Sequence, residues 1–310
     1  MTKYNSLWVE KYRPSKITDI ILNDGNREFF NNLDEKTPHI FLWGAPGAGK
    51  TTLAKIIVND ILKCQYLYIN ASDENGVDTI RNKVISFSQT KSLDGNIKVI
   101  ILDESDGLTN ESQRVLRNVM EEYSENVRFI LTANYANKII EPIQSRCLVF
   151  NIKPNLEESY NRCLYILQNE NIKIDDDTKT LLKPFIEKRN LDLRRCINDL
   201  QRYSVDGKLN LNSSFSNSNI HAQHIIKSLL LKESCWNIRK YVLSNEINFD
   251  YNYGNLMKEM FEILFSSKIQ GNMKKMILLE LGEHMYRDVS VLDHEINFFC
   301  CILAIEKIMT

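Results

Sequence analysis

Seven cysteines, at positions 64, 147, 163, 196, 235, 300 and 301, form no CxxC pair and no Cys/His cluster with the spacing of zinc ligands. They read as reduced thiols, which sets aside a zinc-stapled or disulfide-stapled fold. No run approaches the roughly 18 apolar residues of a membrane span. The opening MTKYNSLWVEKYRP is polar and aromatic, with no charged-then-apolar leader, so a cytoplasmic location is expected, or a nuclear one from a eukaryotic source. An excess of charge of either sign is also missing: 39 Lys and Arg stand against 40 Asp and Glu, evenly spread. Bulk charge therefore advertises no nucleic acid, and any such contact must be built from a local patch. What is present is 310 residues, 43% hydrophobic and 25% charged, enough for two or three globular domains.

Between residues 39 and 150 the chain alternates apolar runs (HIFLW, QYLYIN, KVIILD, VRFILTAN, CLVFNI) with helix-period segments. This is the pattern of an α/β domain with a mainly parallel sheet. After Pro154 the strand signals stop, and helices such as LEESYNRCLYILQNE and LDLRRCINDLQRYS follow. The Asn- and Ser-rich stretch GKLNLNSSFSNSN, residues 207–219, reads as a linker. From His221 onward the pattern is helical again. The expected division is 1–153, 154–206, a linker over 207–219, and an all-α domain over 220–310.

Residues 44–51, GAPGAGKT, match the phosphate-loop pattern G-x-x-x-x-G-K-[ST], behind an apolar strand and ahead of a helix, as that pattern requires. Gly47 and Gly49 allow a nest of backbone N–H groups that, with the helix N-terminus, faces phosphate oxygens. Gly47, Ala48, Gly49, Lys50, Thr51 and Thr52 are the candidate nucleotide-binding residues, with Lys50 reaching the β- and γ-phosphates and Thr51 holding Mg²⁺. Further on, KVIILDES ends a strand in two acids, Asp103 and Glu104. Acid pairs at strand ends are commonly solvated turns, but behind a phosphate loop Asp103 can order the Mg²⁺ shell and Glu104 can polarise a water. Asn134, ending VRFILTAN, can bond the water or the γ-phosphate, although alone it also reads as a turn-initiating Asn.

The loop, LDES, LTAN, QSRC and the opening WVEKYRP together resemble the clamp-loader branch of the AAA+ ATPases. The chain is similar to replication factor C small subunits and, through DESDGLTNESQRVLRNVMEEYS, closer still to the large ATPase subunit of tailed-phage clamp loaders. The resemblance covers residues 7 to about 203. It implies an AAA+ P-loop NTPase domain, a small helical lid and an all-α collar that holds a ring of subunits. It also implies ATP and Mg²⁺ as cofactors. Val9, Tyr12, Arg13, Pro14 and Ile21 would form the adenine pocket, though Trp8 and Tyr12 also read as core aromatics. Asn134 would be the first sensor and Arg194 the second, with Arg195 as rival. Arg146 of QSRC would enter a neighbouring subunit's ATP site and complete it in trans; as a bare sequence feature it also reads as a surface salt-bridge arginine. Ser105 departs from the family's DEAD, and the Asn, Lys and Ile bias suggests an AT-rich genome, compatible with a phage or large virus.

The implied partners are copies of this chain with a companion subunit in a pentameric ring, a sliding clamp and primer-template DNA, with no membrane. Arg81 in NGVDTIRNKV is the first DNA candidate. Arg114 is the second, on a helix whose apolar face is Val115, Leu116, Val119 and Met120; Arg117 suits an acid across a subunit interface better. An exposed apolar stripe on HEINFFCCILAIEKIM would support the collar, though the same residues could equally be an ordinary domain core. Two other readings stand beside the loader: a different AAA+ machine such as a branch-migration motor, and a structural loader subunit with a silent site.

Overall fold

The computed structural model describes residues 7–34, 36–90, 97–211, 218–249, 251–267 and 271–309. Two compact units result, residues 1–209 and 210–310.

Five parallel strands make the sheet of the first unit: β1 (His39–Trp43), β2 (Tyr66–Asn70), β3 (Lys98–Asp103), β4 (Val127–Ala133) and β5 (Cys147–Asn151), in the order β2-β3-β4-β1-β5. All five coincide with the apolar runs of the sequence. The inner strands β1, β3 and β4 are mostly apolar and almost wholly buried because both faces are covered. Side chains alternate between faces along each strand. Phe41, Ile100, Leu102, Phe129 and Leu131 pack on one face with Leu116, Val119 and Met120, whereas Ile40, Leu42, Val99, Ile101 and Ile130 pack on the other with Phe30, Leu53 and Ile57.

The helices of this unit are α1 (Trp8–Lys11), α2 (Asp24–Asn31), α3 (Lys50–Ile56), α4 (Val77–Thr79), α5 (Ser86–Gln89), α6 (Asn110–Glu122), α7 (Glu141–Gln144), α8 (Leu156–Asn169), α9 (Asp176–Lys188) and α10 (Leu193–Tyr203). Side-chain caps start several of them: Thr109 accepts from the Ser112 N–H, Asn155 from Glu157 and Asp192 from Arg195. The expected boundary at residue 153 falls between β5 and α8, inside this unit. Regular structure reaches into the segment expected as a linker from both ends. Ser204–Val205 (β6) and Lys208–Leu209 (β7) form a small antiparallel hairpin, and Leu209 and Leu211 are buried. Ser218 and Asn219 already belong to a helix, and 212–217 lie outside the described residues.

The second unit is helical: α11 (Ser218–Leu230), α12 (Cys235–Ser244), α13 (Tyr253–Ser266), α14 (Asn272–Asp288) and α15 (His294–Met309). Of the two readings of the apolar residues of α15, the core one holds for most: Phe298, Phe299, Cys301, Ile302 and Ile305 are core. Ile296 and Leu303 of α15 are exposed, and among the other exposed apolar side chains of the unit are Met276, Leu279 and Tyr286 on α14 and Val289 and Leu292 just past it.

Candidate nucleotide-binding site

Strand order builds the site. Because β4 lies between β1 and β3, the loop after β1, the acids ending β3 and the Asn after β4 emerge side by side at one sheet edge. The loop needs glycine at two places for different reasons. A Cβ on Gly44 would come within 2.4 Å of the Ile152 carbonyl oxygen. Gly47 has φ +72°, a conformation open to glycine, and its added Cβ would overlap the carboxylate of Asp192, the residue that caps α10. Loop and helical segment therefore touch through a glycine.

Lys50 opens α3 and is 8% exposed. Its ammonium donates to the Gly44 and Ala45 carbonyls and to Asn134 Oδ1, each at 2.9 Å. All three donors are thus directed across the mouth of the loop. Burial lowers the Lys50 pKa, and the nearby carboxylates of Asp106 and Asp103 oppose that shift. Lys50 and Asn134, 84 positions apart in sequence, are thus joined by one hydrogen bond.

Asp103 is nearly enclosed and is held by three hydroxyls. Thr51 Oγ1 (2.8 Å) and Thr132 Oγ1 (2.5 Å) donate to its Oδ1, and the Tyr68 hydroxyl donates to Oδ2 at 2.8 Å. Glu104 adopts φ 54°, ψ 42°, the left-handed region that an ordinary side chain enters at a cost. That turn is held by the Glu104 N–H, which donates to Thr132 Oγ1 at 3.0 Å. The Glu104 carboxylate accepts from Ser72 Oγ at 2.6 Å. Ser105, the departure from DEAD, is fully buried and donates to the Leu102 carbonyl at 2.7 Å, so its hydroxyl has a partner and causes no burial penalty. Asp106 accepts from the Asn134 N–H at 3.2 Å and anchors that residue.

A cleft with about 1060 Å³ of non-atom space, part of it open to solvent, joins these groups. Its walls bring together Gly47, Ala48, Gly49, Lys50, Thr51 and Thr52 from the loop, Glu104 and Asn134 from the strand ends, and Arg194 from α10. Val9, Tyr12, Arg13, Pro14 and Ile21 line it as well. Asp103 lies behind Thr51. Arg195 is not on the wall; its backbone N–H is taken by Asp192. The N-terminal segment is fastened over the cleft. Arg162 of α8, a wall residue, donates to the Tyr12 carbonyl at 2.8 Å, Tyr12 and Lys11 both donate to Glu170 at 2.6 Å, and the Trp8 N–H donates to Gln201 at 2.9 Å.

Arg146 is not on the cleft wall. Just past α7, it pairs with Glu121 of α6 and donates to the Pro142 carbonyl. Arg81 and Arg114 are exposed and are likewise not brought to the cleft; Arg114 lies on an open groove of α6 and α7 with Arg117, whose guanidinium donates to Asn118. Sequence reasoning passed over Tyr68, Ser72, Asp106, Thr132 and Arg162. A polar Thr132 inside the apolar run VRFILTAN was a visible signal; the others depend on contacts between distant segments.

Comparison with known proteins agrees with this geometry. Residues 40–154 match the model of the ATPase family associated with various cellular activities (AAA). A replication factor C small subunit of Saccharolobus solfataricus is 36% identical over 94% of this chain and 91% of its own length, and one of Staphylothermus marinus is 35% identical over 96% and 94%. The relatives found are archaeal, so the leaning towards tailed-phage loaders and towards a phage or viral source finds no support. Among solved structures, the Holliday junction branch migration motor RuvB of Thermotoga maritima superposes with a TM-score of 0.53 over 92% of this chain and 90% of that one. At 16% identity that likeness speaks for the fold alone. The chain belongs to the replication factor C small-subunit family of AAA ATPases.

Proposed function

We propose that the cleft binds and hydrolyses ATP, and that this activity drives a clamp loader that places a sliding clamp on primer-template DNA. One observation carries the reading: the loop lysine, Glu104, Asn134 and Arg194 converge on a single cleft from four separate elements, with Asp103 bonded to Thr51 behind its wall. Val9, Tyr12, Arg13, Pro14 and Ile21 hold the adenine, and the backbone nest of the loop with Lys50 holds the phosphates. Thr51 and Asp103 are hard oxygen donors 2.8 Å apart and suit Mg²⁺, which they would hold between them. Bound there, the ion neutralises phosphate charge. Glu104 orients the attacking water and accepts its proton once its carboxylate leaves Ser72. Asn134 and Arg194 donate to the γ-phosphate region.

Arg146 completes the site of a neighbouring copy. It lies outside its own cleft, and its exposed pairing with Glu121 is weak enough to exchange for a phosphate. Copies of the chain and a companion subunit form the ring, with the exposed apolar residues of α14 among its contacts. Residues 1–153, 154–206 and 220–310 serve as ATPase domain, lid and collar. Arg81 and Arg114 contact DNA backbone, so the complex reads shape, a primed duplex beside a single strand, rather than bases. Steady-state ATP turnover of the chain with its companion subunit tests the reading. Clamp and primed DNA added together should raise the rate severalfold, and a rate indifferent to both would contradict it.

A further inference from the structure

Asp103 has a third hydroxyl partner that the phosphate-loop motif does not supply. Tyr68 sits on edge strand β2, where Tyr68 is in register with Ile101 and Asn70 with Asp103. Tyr68 and Asp103 share one face, since Tyr66 packs on the α3 side with Val99 and Ile101 while Ile69 packs on the opposite side. Their relation is the diagonal one between neighbouring strands, two positions out of register. That gap is within reach of an aromatic side chain with a terminal hydroxyl. The phenol spans it and donates to Asp103 Oδ2 at 2.8 Å. Lys55, one turn after Thr51 on α3, places its ammonium 4.7 Å from the centre of the Tyr68 ring, which fixes the ring from the other side.

The two carboxylate oxygens are thereby made different. Oδ2 is occupied by Tyr68, and Oδ1 is directed at Thr51 and Thr132. We infer that Tyr68 is a positioning residue of the magnesium site: its hydroxyl locks the Asp103 carboxylate so that Oδ1 faces the loop. Groups that orient a ligand from behind commonly matter 10–100-fold for metal affinity. The inference rests on the reading of the cleft as a Mg²⁺–nucleotide site.

Tyr68→Phe deletes only the hydroxyl, and the ring's contact with Lys55 remains. Binding of a fluorescent ATP analogue to the full chain, titrated with Mg²⁺, reads the effect without turnover. In Tyr68→Phe the Mg²⁺ concentration for half-maximal enhancement of binding should rise about 10-fold, with nucleotide affinity in EDTA unchanged. An identical Mg²⁺ titration in wild type and Tyr68→Phe would overturn the inference while leaving the site reading intact. Equal weakening in EDTA and in Mg²⁺ would also overturn it, by showing general disruption. A wild-type chain whose nucleotide binding ignores Mg²⁺ would overturn both.

Discussion

Thr132→Val is the sharpest test of how the two acids are held. The substitution keeps the shape of a side chain that is 1% exposed and removes only its hydroxyl. That hydroxyl donates to Asp103 Oδ1 at 2.5 Å and accepts from the Glu104 N–H at 3.0 Å, so one atom is lost to two neighbours. A hydrogen bond to a charged group contributes about 1.5–3 kcal/mol and a neutral one about 1 kcal/mol. The expected destabilisation is therefore roughly 2–4 kcal/mol, and for a unit of this size each kcal/mol lowers the thermal midpoint by roughly 2–4 °C. Differential scanning calorimetry should show the transition of the sheet-containing unit shifted down by roughly 5–15 °C. Thr132→Ser, which keeps the hydroxyl and loses one methyl, should stay within about 1.5 kcal/mol of wild type. Equal midpoints for the Val and Ser variants would refute the reasoning, because the hydroxyl would then contribute nothing.

Ser72→Ala frees the Glu104 carboxylate from an exposed hydrogen bond of 2.6 Å. With about 1 kcal/mol removed from the held state, basal ATP turnover should rise about 5-fold; an unchanged or lower rate would show that Ser72 does not restrain Glu104. His39 is buried, and burial, aided by Arg128, lowers its pKa from 6.5 to about 4. Its Nδ1 accepts from the Phe129 N–H. The unfolded chain therefore takes up a proton below pH 6.5 that the native chain refuses. The stability from neutral His39 is fully present above that pH and is lost, by up to about 1.4 kcal/mol per unit, as the pH falls towards 4. His39→Asn keeps an acceptor for Phe129 and should flatten the loss between pH 6.5 and 5 in urea denaturation. Parallel pH profiles would count against His39 as the source.

Much of this was legible in the sequence for stated reasons. The three inner strands show as apolar runs because both faces of the sheet are covered there, the edge strands β2 and β5 being only partly buried, and the phosphate loop shows because its chemistry needs glycines and a lysine at fixed spacing. Arg194 and Arg195 are neighbours in sequence, and only the direction of α10 from its Asp192 cap puts one on the wall and not the other. Whether the apolar residues of the last helix are surface or core was left open in the sequence for a similar reason. Residues of α15 are the more hydrophobic as a string, but packing against the other helices makes them core and leaves Leu279 and Tyr286 of α14 exposed. Tyr68 was invisible because its partner is fixed by β2–β3 register, which no local pattern states. The Asn-rich stretch read as a linker hid Leu209 and Leu211, two apolar residues that anchor its start.

Trans completion of the ATP site by Arg146 is the central claim, and mixing two inactive variants tests it most directly. Arg146→Ala copies should bind nucleotide normally, yet in the assembled loader with clamp and primed DNA hydrolyse it about 10³-fold or more slowly, the scale of such a finger in other phosphoryl-transfer enzymes. Lys50→Ala copies should fail for lack of the loop ammonium while still presenting Arg146. Assembled together with the companion subunit, the two should regain turnover wherever an intact Lys50 site meets an intact Arg146. A mixture as inactive as either variant alone, or an Arg146→Ala loader with the wild-type rate, would contradict the account.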